Sequence, residues 1–106
     1  MKYEYVISGI AGRFPQADNL DELADKLYAG IDFITDDNDR WPPGLFDLPR
    51  RRGKLGNLDK FDAGYFKYRD KFANNTDPQL RIMLELTFEA LCDSGNYDIL
   101  QIAYKL

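Results

Sequence analysis

The segment "DPQLRIMLELTFEALCDSG", residues 77–95, limits the possible folds of this chain more than any other feature. Asp77 suits the N-cap of a helix, Pro78 the first helical position and Gly95 the residue just past the end. Apolar side chains surround most of this helix, and its polar stripe is narrow. The stripe consists of Arg81, Glu85, Glu89 and Asp93. Because such a helix needs cover on several sides, it predicts a body larger than the 106 residues of this chain.

A second helix is predicted for "NLDELADKLYAG", residues 19–30, and its ends are well marked. Its apolar residues recur with the spacing of one helix face. Asn19 and Glu22 can form a capping box at the start, Asp21 adds a charge that the helix dipole favours, and Gly30 suits the C′ position.

The opening stretch "YEYVISGIAGRFP" predicts a strand that ends in a glycine-containing loop. Tyr3 to Ile10 are rich in β-branched and aromatic residues, and we expect this strand to be buried along most of its length. Gly9 and Gly12 resemble part of a nucleotide-binding turn, but the third glycine and an immediate helix are missing, as is a Gly-Lys-Ser/Thr ending. We therefore favour a structural role for them, either close backbone crossing or a positive φ angle.

Residues 31–57 are rich in Pro, Gly and charge and predict a loop, which is long for a compact domain. The following stretch, "LDKFDAGYFKYRDKF", predicts short helical turns. Its apolar residues need a surface to pack against. They are Leu58, Phe61, Tyr65, Phe66, Tyr68 and Phe72.

Charge and cysteine content narrow the range of partners. Eighteen acidic and fourteen basic residues give a net charge of −4, which argues against nonspecific binding to nucleic acid or to an anionic membrane. No apolar run approaches the roughly 20 residues of a membrane span. The single cysteine allows no internal disulfide, and "MKYEYVISG" lacks the apolar run of a secretion signal. We expect a cytoplasmic protein.

No residue stands out as catalytic, cofactor-binding or metal-binding. Cys92 falls in the last turn of its helix beside Asp93, where dipole and charge disfavour a thiolate, so we expect it to pack as an inert side chain. The chain contains no histidine, the usual base and zinc ligand. The acidic residues Asp36, Asp37 and Asp39 do not follow the calcium-loop pattern, and we interpret them as a solvated turn.

The segment "PRRRGK", residues 49–54, is a compact basic patch in an acidic chain, and we call it the basic loop. It could contact a phosphate or an acidic protein, or it could be a solvated loop that maintains solubility. Its four cations are the candidate partner-docking residues. They are Arg50, Arg51, Arg52 and Lys54.

Taken together, "YVISGIAGRFP", "GLFDLPRRRGKLGNLDKFDAGYF" and "TDPQLRIMLELTFEALCDSG" resemble the beginning of the β-ketoacyl synthase domain of animal type I fatty acid synthases, a family related to polyketide synthases. The order, spacing and identities agree from about Tyr3 to Tyr97. "DPQLR" is typical of multifunctional fatty acid and polyketide synthases, while "LPRRRGKL" and "DDNDRW" indicate the animal fatty acid synthase branch.

The resemblance implies an α/β protein, an incomplete N-terminal fragment of a thiolase-like α/β/α fold with one strand, two main helices and long loops. It also implies a homodimeric parent that condenses acyl and malonyl thioesters with loss of carbon dioxide, using substrates carried on the phosphopantetheine arm of an acyl carrier protein. The family's catalytic cysteine and two histidines lie downstream of these segments. Cys92 does not occupy the nucleophile's motif.

Residues 1–97 are thus predicted to be an incomplete synthase domain, and residues 98–106, "DILQIAYKL", a divergent tail that suggests a truncated gene product. We expect the chain to be inactive by itself, with no cofactor of its own. Its expected partner is the remainder of the synthase or an intact synthase. The alternative is a noncatalytic module that docks on an intact synthase or acyl carrier protein, with neither nucleic acid nor membrane as partner.

Overall fold

The computed structural model describes residues 1–37 and 40–95, and its first helix, α1, spans Leu20–Tyr28. The Asn19 side chain accepts a 2.8 Å hydrogen bond from the Glu22 backbone N–H, as predicted. The Glu22 carboxylate accepts from the backbone N–H of Asp18, at 2.9 Å, and not from that of Asn19. Gly30 follows the helix with φ of +70°. Both helix-end predictions are confirmed, with the returning contact of the capping box shifted by one residue.

Two further α-helices lie in the second half of the chain: α2, Asp70–Asn75, and α3, Pro78–Asp93. The Asp77 carboxylate caps α3 by accepting a 2.8 Å hydrogen bond from the Gln79 backbone N–H. Pro78 occupies the first turn, and Gly95 follows the C-terminus with φ of +69°. The predicted bounds of α3 are therefore confirmed, and α2 provides the short helical segment expected before it.

The chain divides into two units, of which the first combines Met1–Ala11 with the chain from Asp59 onward. In this unit the predicted aromatic group packs against one side chain of α3. The ring centroids of Tyr65 and Phe66 lie 4.9 and 6.5 Å from that of Phe88, and Phe61 stacks on Phe66 at 5.4 Å. Part of the partner surface that these rings needed is thus α3 itself.

The N-terminal segment, Tyr3 to Ile10, is not a strand in the structure. Tyr3, Tyr5, Val6 and Ile7 are 71 to 91% exposed, so the predicted burial is also wrong. The physical reason is that a strand is satisfied only by a neighbouring strand, and the part of the chain described here offers none at this position. The segment is held instead at its end, where the Ile10 N–H donates to the Asp93 carboxylate at 2.9 Å.

The second unit, Gly12–Leu58, consists of α1 and the long loop. Three isolated antiparallel bridges connect its segments: Phe14 with Ala17, Pro15 with Leu55, and Thr35 with Arg52. A short 3-10 helix, Leu45–Asp47, interrupts the loop. The predicted loop is therefore largely confirmed where it is described, while its ends are bound by bridges that the composition did not predict.

The buried core is very small. In the described ranges, Ala17 and Ala73 are the buried apolar residues, and no residue of α3 is fully buried. Leu80 and Met83 on α3 are 48 and 63% exposed. The surfaces that the apolar circumference of α3 requires are thus only partly present. No helix among the described residues is long and apolar enough to cross a membrane.

Candidate partner-docking site

The basic loop is bound to the segment that follows α1 by a pair of backbone hydrogen bonds. The Arg52 N–H donates to the Thr35 carbonyl at 2.8 Å, and the Thr35 N–H donates to the Arg52 carbonyl at 3.1 Å. This bridge brings the basic loop next to Asp32 and Asp37. Among the described acids, Asp32 and Asp37 meet cations of this loop, although they lie 17 to 19 positions away in sequence.

Arg51 forms an ion pair with Asp32 and also donates to the Ile34 carbonyl at 3.1 Å. The Ile34 backbone N–H donates to the Asp32 carboxylate at 2.9 Å. This backbone hydrogen bond, with the Arg51 guanidinium second, lowers the pKa of the Asp32 carboxyl below its ordinary value. Because both side chains are more than half exposed, solvent weakens the pair, which positions Arg51 more than it stabilises the fold.

Lys54 is more enclosed. Its ammonium group pairs with the Asp37 carboxylate and donates to the Asp37 carbonyl at 2.9 Å, and its side chain is only 11% exposed. A cation with this little exposure is not presented to solvent. The acidic turn is therefore only partly solvated: Asp36 is exposed as expected, Asp37 is paired, and Asp39 lies outside the described residues.

Arg52 lies over the ring of Trp41, with its guanidinium carbon 4.4 Å from the ring centroid. This geometry is that of a cation–π contact. The three guanidinium nitrogens are buried, and so is the indole nitrogen of Trp41, and none of the four has a hydrogen-bond partner in the described structure. The side chain is thus fixed on an aromatic face without an acceptor.

Arg50 is the fourth cation, and it is exposed. The four candidate residues therefore lie in four different settings: one exposed, one in an exposed ion pair, one stacked on an indole, and one in an enclosed ion pair. If the basic loop docks on a partner, Arg50 and the exposed part of Arg51 are the cations that the partner can reach without any rearrangement. The docking role of the four residues stays a prediction.

The two glycines of the opening loop lie in different surroundings. A Cβ atom at Gly9 would overlap the Ala90 carbonyl oxygen and lie 2.8 Å from the Ser94 backbone nitrogen. Gly9 therefore allows the N-terminal segment to cross the last turn of α3 at close range, which was one of the two predicted roles. At Gly12 a Cβ atom would instead meet the Phe14 ring. Helix α1 begins only at Leu20.

Cys92 is exposed, so the expectation that its side chain is packed is wrong. Among residues 1–37 and 40–95, no group of three or more His, Cys, Asp or Glu side chains is arranged to hold a metal ion.

Two participants at this site were missed by the sequence interpretation: Asp32, which pairs with Arg51, and Trp41, which supports Arg52. Asp32 was visible only as an acid two residues before Ile34, a spacing that suits a local side-chain to backbone turn. Trp41 is the only tryptophan of the chain. Its pairing with a residue eleven positions later had no periodic signal.

Most of the chain is similar in sequence to known proteins. Residues 4–100 match the family described as "Beta-ketoacyl synthase, N-terminal domain". The chain is 48% identical over 92 residues to a fatty acid synthase of Anser anser anser, a match that covers 87% of the chain and 26% of the relative. It is 40% identical over 103 residues to the polyketide synthase PksL of Bacillus subtilis, covering 87% of the chain and 2% of that protein. The chain thus spans about a quarter or less of these relatives.

A solved structure gives the same result for the fold. The oxazolomycin ketosynthase domain OzmH KS7 of Streptomyces albus JA3453 superimposes with a TM-score of 0.70 at 31% identity, over 83% of this chain and 17% of that one. This likeness confirms the predicted fold class: an incomplete N-terminal part of a thiolase-like ketosynthase domain. The predicted boundary between residues 97 and 98 and the divergent tail lie outside the described residues.

Proposed function

Because the chain belongs to the β-ketoacyl synthase family, through its N-terminal domain, we propose that it is the opening part of a synthase that condenses acyl and malonyl thioesters in fatty acid biosynthesis. We choose fatty acid synthases over polyketide synthases because the chain is 48% identical to a fatty acid synthase and 40% identical to PksL. The parent's substrates would be carried on phosphopantetheine arms, and lipid metabolism in the cytoplasm is the setting that fits them.

The chain by itself is proposed to be inactive. In the parent's reaction an acyl group passes to a cysteine thiolate, and the carbanion formed when malonyl loses carbon dioxide attacks that acyl thioester, while two histidines stabilise the developing oxyanion. This chain has no histidine. Its single thiol, on Cys92, lies in the last turn of α3 and not in the motif in which the family carries its nucleophile.

The proposed partner is the remainder of the synthase, within a homodimeric parent. Supporting this are the exposed apolar side chains of the N-terminal segment and of α3, which a soluble domain normally covers. Neither nucleic acid nor a membrane is part of the proposal.

Two experiments test the proposed function. Purified chain incubated with acyl and malonyl thioesters should release no carbon dioxide and form no ketoacyl product above background. Measurable turnover would overturn the proposal that the chain is inactive.

In the second experiment, this chain replaces the matching segment of the Anser anser anser synthase. The chimera should retain condensation, whereas the same chimera with Thr87→Pro, which interrupts α3, should lose it. A folded chimera without condensation activity would contradict the assignment to the family's reaction.

A second candidate function is a noncatalytic module that docks on an intact synthase or its acyl carrier protein. The exposed position of Arg50, next to the partly exposed Arg51, favours it. The chain should capture the synthase in a pull-down, and changing Arg50, Arg51 and Arg52 to Glu should abolish capture. Lys60→Glu reverses one exposed charge outside the basic loop and should leave capture intact. Failure of the unmodified chain to bind ends this idea.

A further inference from the structure

Arg52 and Trp41 leave a group of hydrogen-bond donors without acceptors. All three guanidinium nitrogens of Arg52 and the indole nitrogen of Trp41 are buried, and no residue in the described ranges accepts a hydrogen bond from them. Both side chains are donors only. The guanidinium carbon lies 4.4 Å from the Trp41 ring centroid, and the Arg52 backbone is held by its bridge to Thr35.

This arrangement differs from an ordinary surface arginine. A buried charge without an acceptor is strongly unfavourable, and contact with an aromatic face replaces only part of its lost hydration. The nearby acids do not supply the acceptor, because Asp32 is paired with Arg51 and Asp37 with Lys54. Asp36, which follows Thr35 in the chain, is exposed and does not accept a hydrogen bond from Arg52 either.

The chemistry of the missing acceptor follows from the donors. The guanidinium nitrogens form a planar fork that matches the two oxygens of a carboxylate, and an indole N–H close by can donate to an oxygen of the same group. A ligand must displace part of the surrounding loop to reach these atoms. Residues 42–50 are all exposed, so they lose little packing when they move.

We propose that Arg52 and Trp41 form a carboxylate-binding site, with the Arg52 guanidinium as the charged donor and the Trp41 indole as its platform and second donor. The carboxylate is either a small free ion or an aspartate or glutamate carried on another polypeptide. This site is independent of the condensation chemistry, and the four buried nitrogen atoms carry the inference.

The single tryptophan provides a direct measurement, because its fluorescence and its one indole N–H resonance both report on Trp41. The full chain is titrated with sodium acetate, and separately with an N-acetylated aspartyl amide, against sodium chloride at equal ionic strength. Both carboxylates should give a saturable change in the Trp41 signals, and chloride should not. A tighter response to the aspartyl compound assigns the site to a protein-borne carboxylate, and an equal or tighter response to acetate to a free ion.

Matched variants distinguish carboxylate binding at Arg52 from a general effect of salt on the Trp41 signals. Arg52→Gln should change the Trp41 emission of the free chain and weaken the carboxylate response about tenfold or more, because the hydrogen bonds to a charged donor are lost. Lys60→Gln, which removes an exposed cation outside the basic loop, should leave both unchanged. The proposal is overturned if acetate and the aspartyl compound act like chloride, if Arg52→Gln retains the response, or if Arg52→Gln leaves the emission of the free chain unaltered.

Discussion

Helix α3 and the N-terminal segment lie against each other in the first unit, and both carry exposed apolar side chains, yet only one has regular secondary structure. Helix α3 has 16 residues, although none of them is fully buried. The N-terminal segment also contains large apolar side chains, and its described contacts with α3 are the close crossing at Gly9 and the Ile10 N–H bond to Asp93.

The difference lies in where each backbone finds its hydrogen-bond partners. A helix pairs each N–H with a carbonyl four residues earlier, so α3 satisfies its backbone from within its own sequence. A strand has no internal pairs and depends on a neighbour that is distant in the chain. Secondary structure in this protein therefore survives a shortage of tertiary contacts where its hydrogen bonds are local.

The largest expected effect comes from interrupting α3. Thr87→Pro removes a helical hydrogen bond at an exposed position and should cost about 3 kcal/mol or more, with a large loss of circular dichroism at 222 nm. Val6→Pro, in the N-terminal segment, should leave the helical signal unchanged, because no ladder bond is lost there. Equal losses in the two variants would mean that the segment is paired as a strand in solution.

A single added methyl group at Gly9 should disrupt the contact between the N-terminal segment and α3. Gly9→Ala places a Cβ atom on the Ala90 carbonyl and should destabilise the crossing by about 2 kcal/mol, as overpacking does elsewhere. Amide hydrogen exchange of Ile10 should accelerate accordingly. At Gly12 the added methyl meets only the movable Phe14 ring, so Gly12→Ala should leave the Ile10 amide protected. Unchanged exchange in Gly9→Ala would show that the crossing is absent.

The N-caps of α1 and α3 test, with a smaller expected effect, whether local hydrogen bonds hold the helices. Asp77→Ala and Asn19→Ala each remove a side-chain acceptor at an N-cap and should each cost about 1 kcal/mol of helix stability. The midpoint of urea unfolding, followed by circular dichroism at 222 nm, should move to a lower urea concentration in both variants. Asp77→Asn and Asn19→Asp preserve the acceptor and should restore most of the loss. If the alanine variants match the unmodified chain, local capping does not hold these helices.

The smallest expected effect concerns Asp32 in the second unit. Its lowered pKa means that the carboxylate stabilises the folded chain above the unfolded-state pKa, and that this contribution disappears as pH falls through the lowered folded-state value. Arg51→Gln should raise the pKa of Asp32 only part of the way, because the Ile34 N–H bond, the larger cause, remains. Carbon-13 titration of the carboxyl measures this directly. Arg50→Gln should produce no shift, and a full return to the ordinary pKa in Arg51→Gln would contradict the order of causes.

The candidate site was predictable only in part. The basic loop was visible as a run of cations in an acidic chain, because composition is local information. That Arg51 pairs with Asp32, Lys54 with Asp37, and Arg52 with Trp41 depends on the bridge between Thr35 and Arg52. No periodicity or spacing in the sequence encodes contacts across a loop of irregular backbone, so the partners of these cations could not be read from it.

The sequence by itself determined the two main helices, their capping residues and the family, because caps, helical periodicity and the order of motifs are local properties. Tertiary structure decided the rest: Gly9 is required where the segment crosses α3, Cys92 is exposed, and Tyr3 to Ile10 do not form a strand. Each of these depends on which backbone or side chain arrives from a distant part of the chain. A strand, a buried side chain and a compensated charge all need such a partner, whereas a capped helix does not.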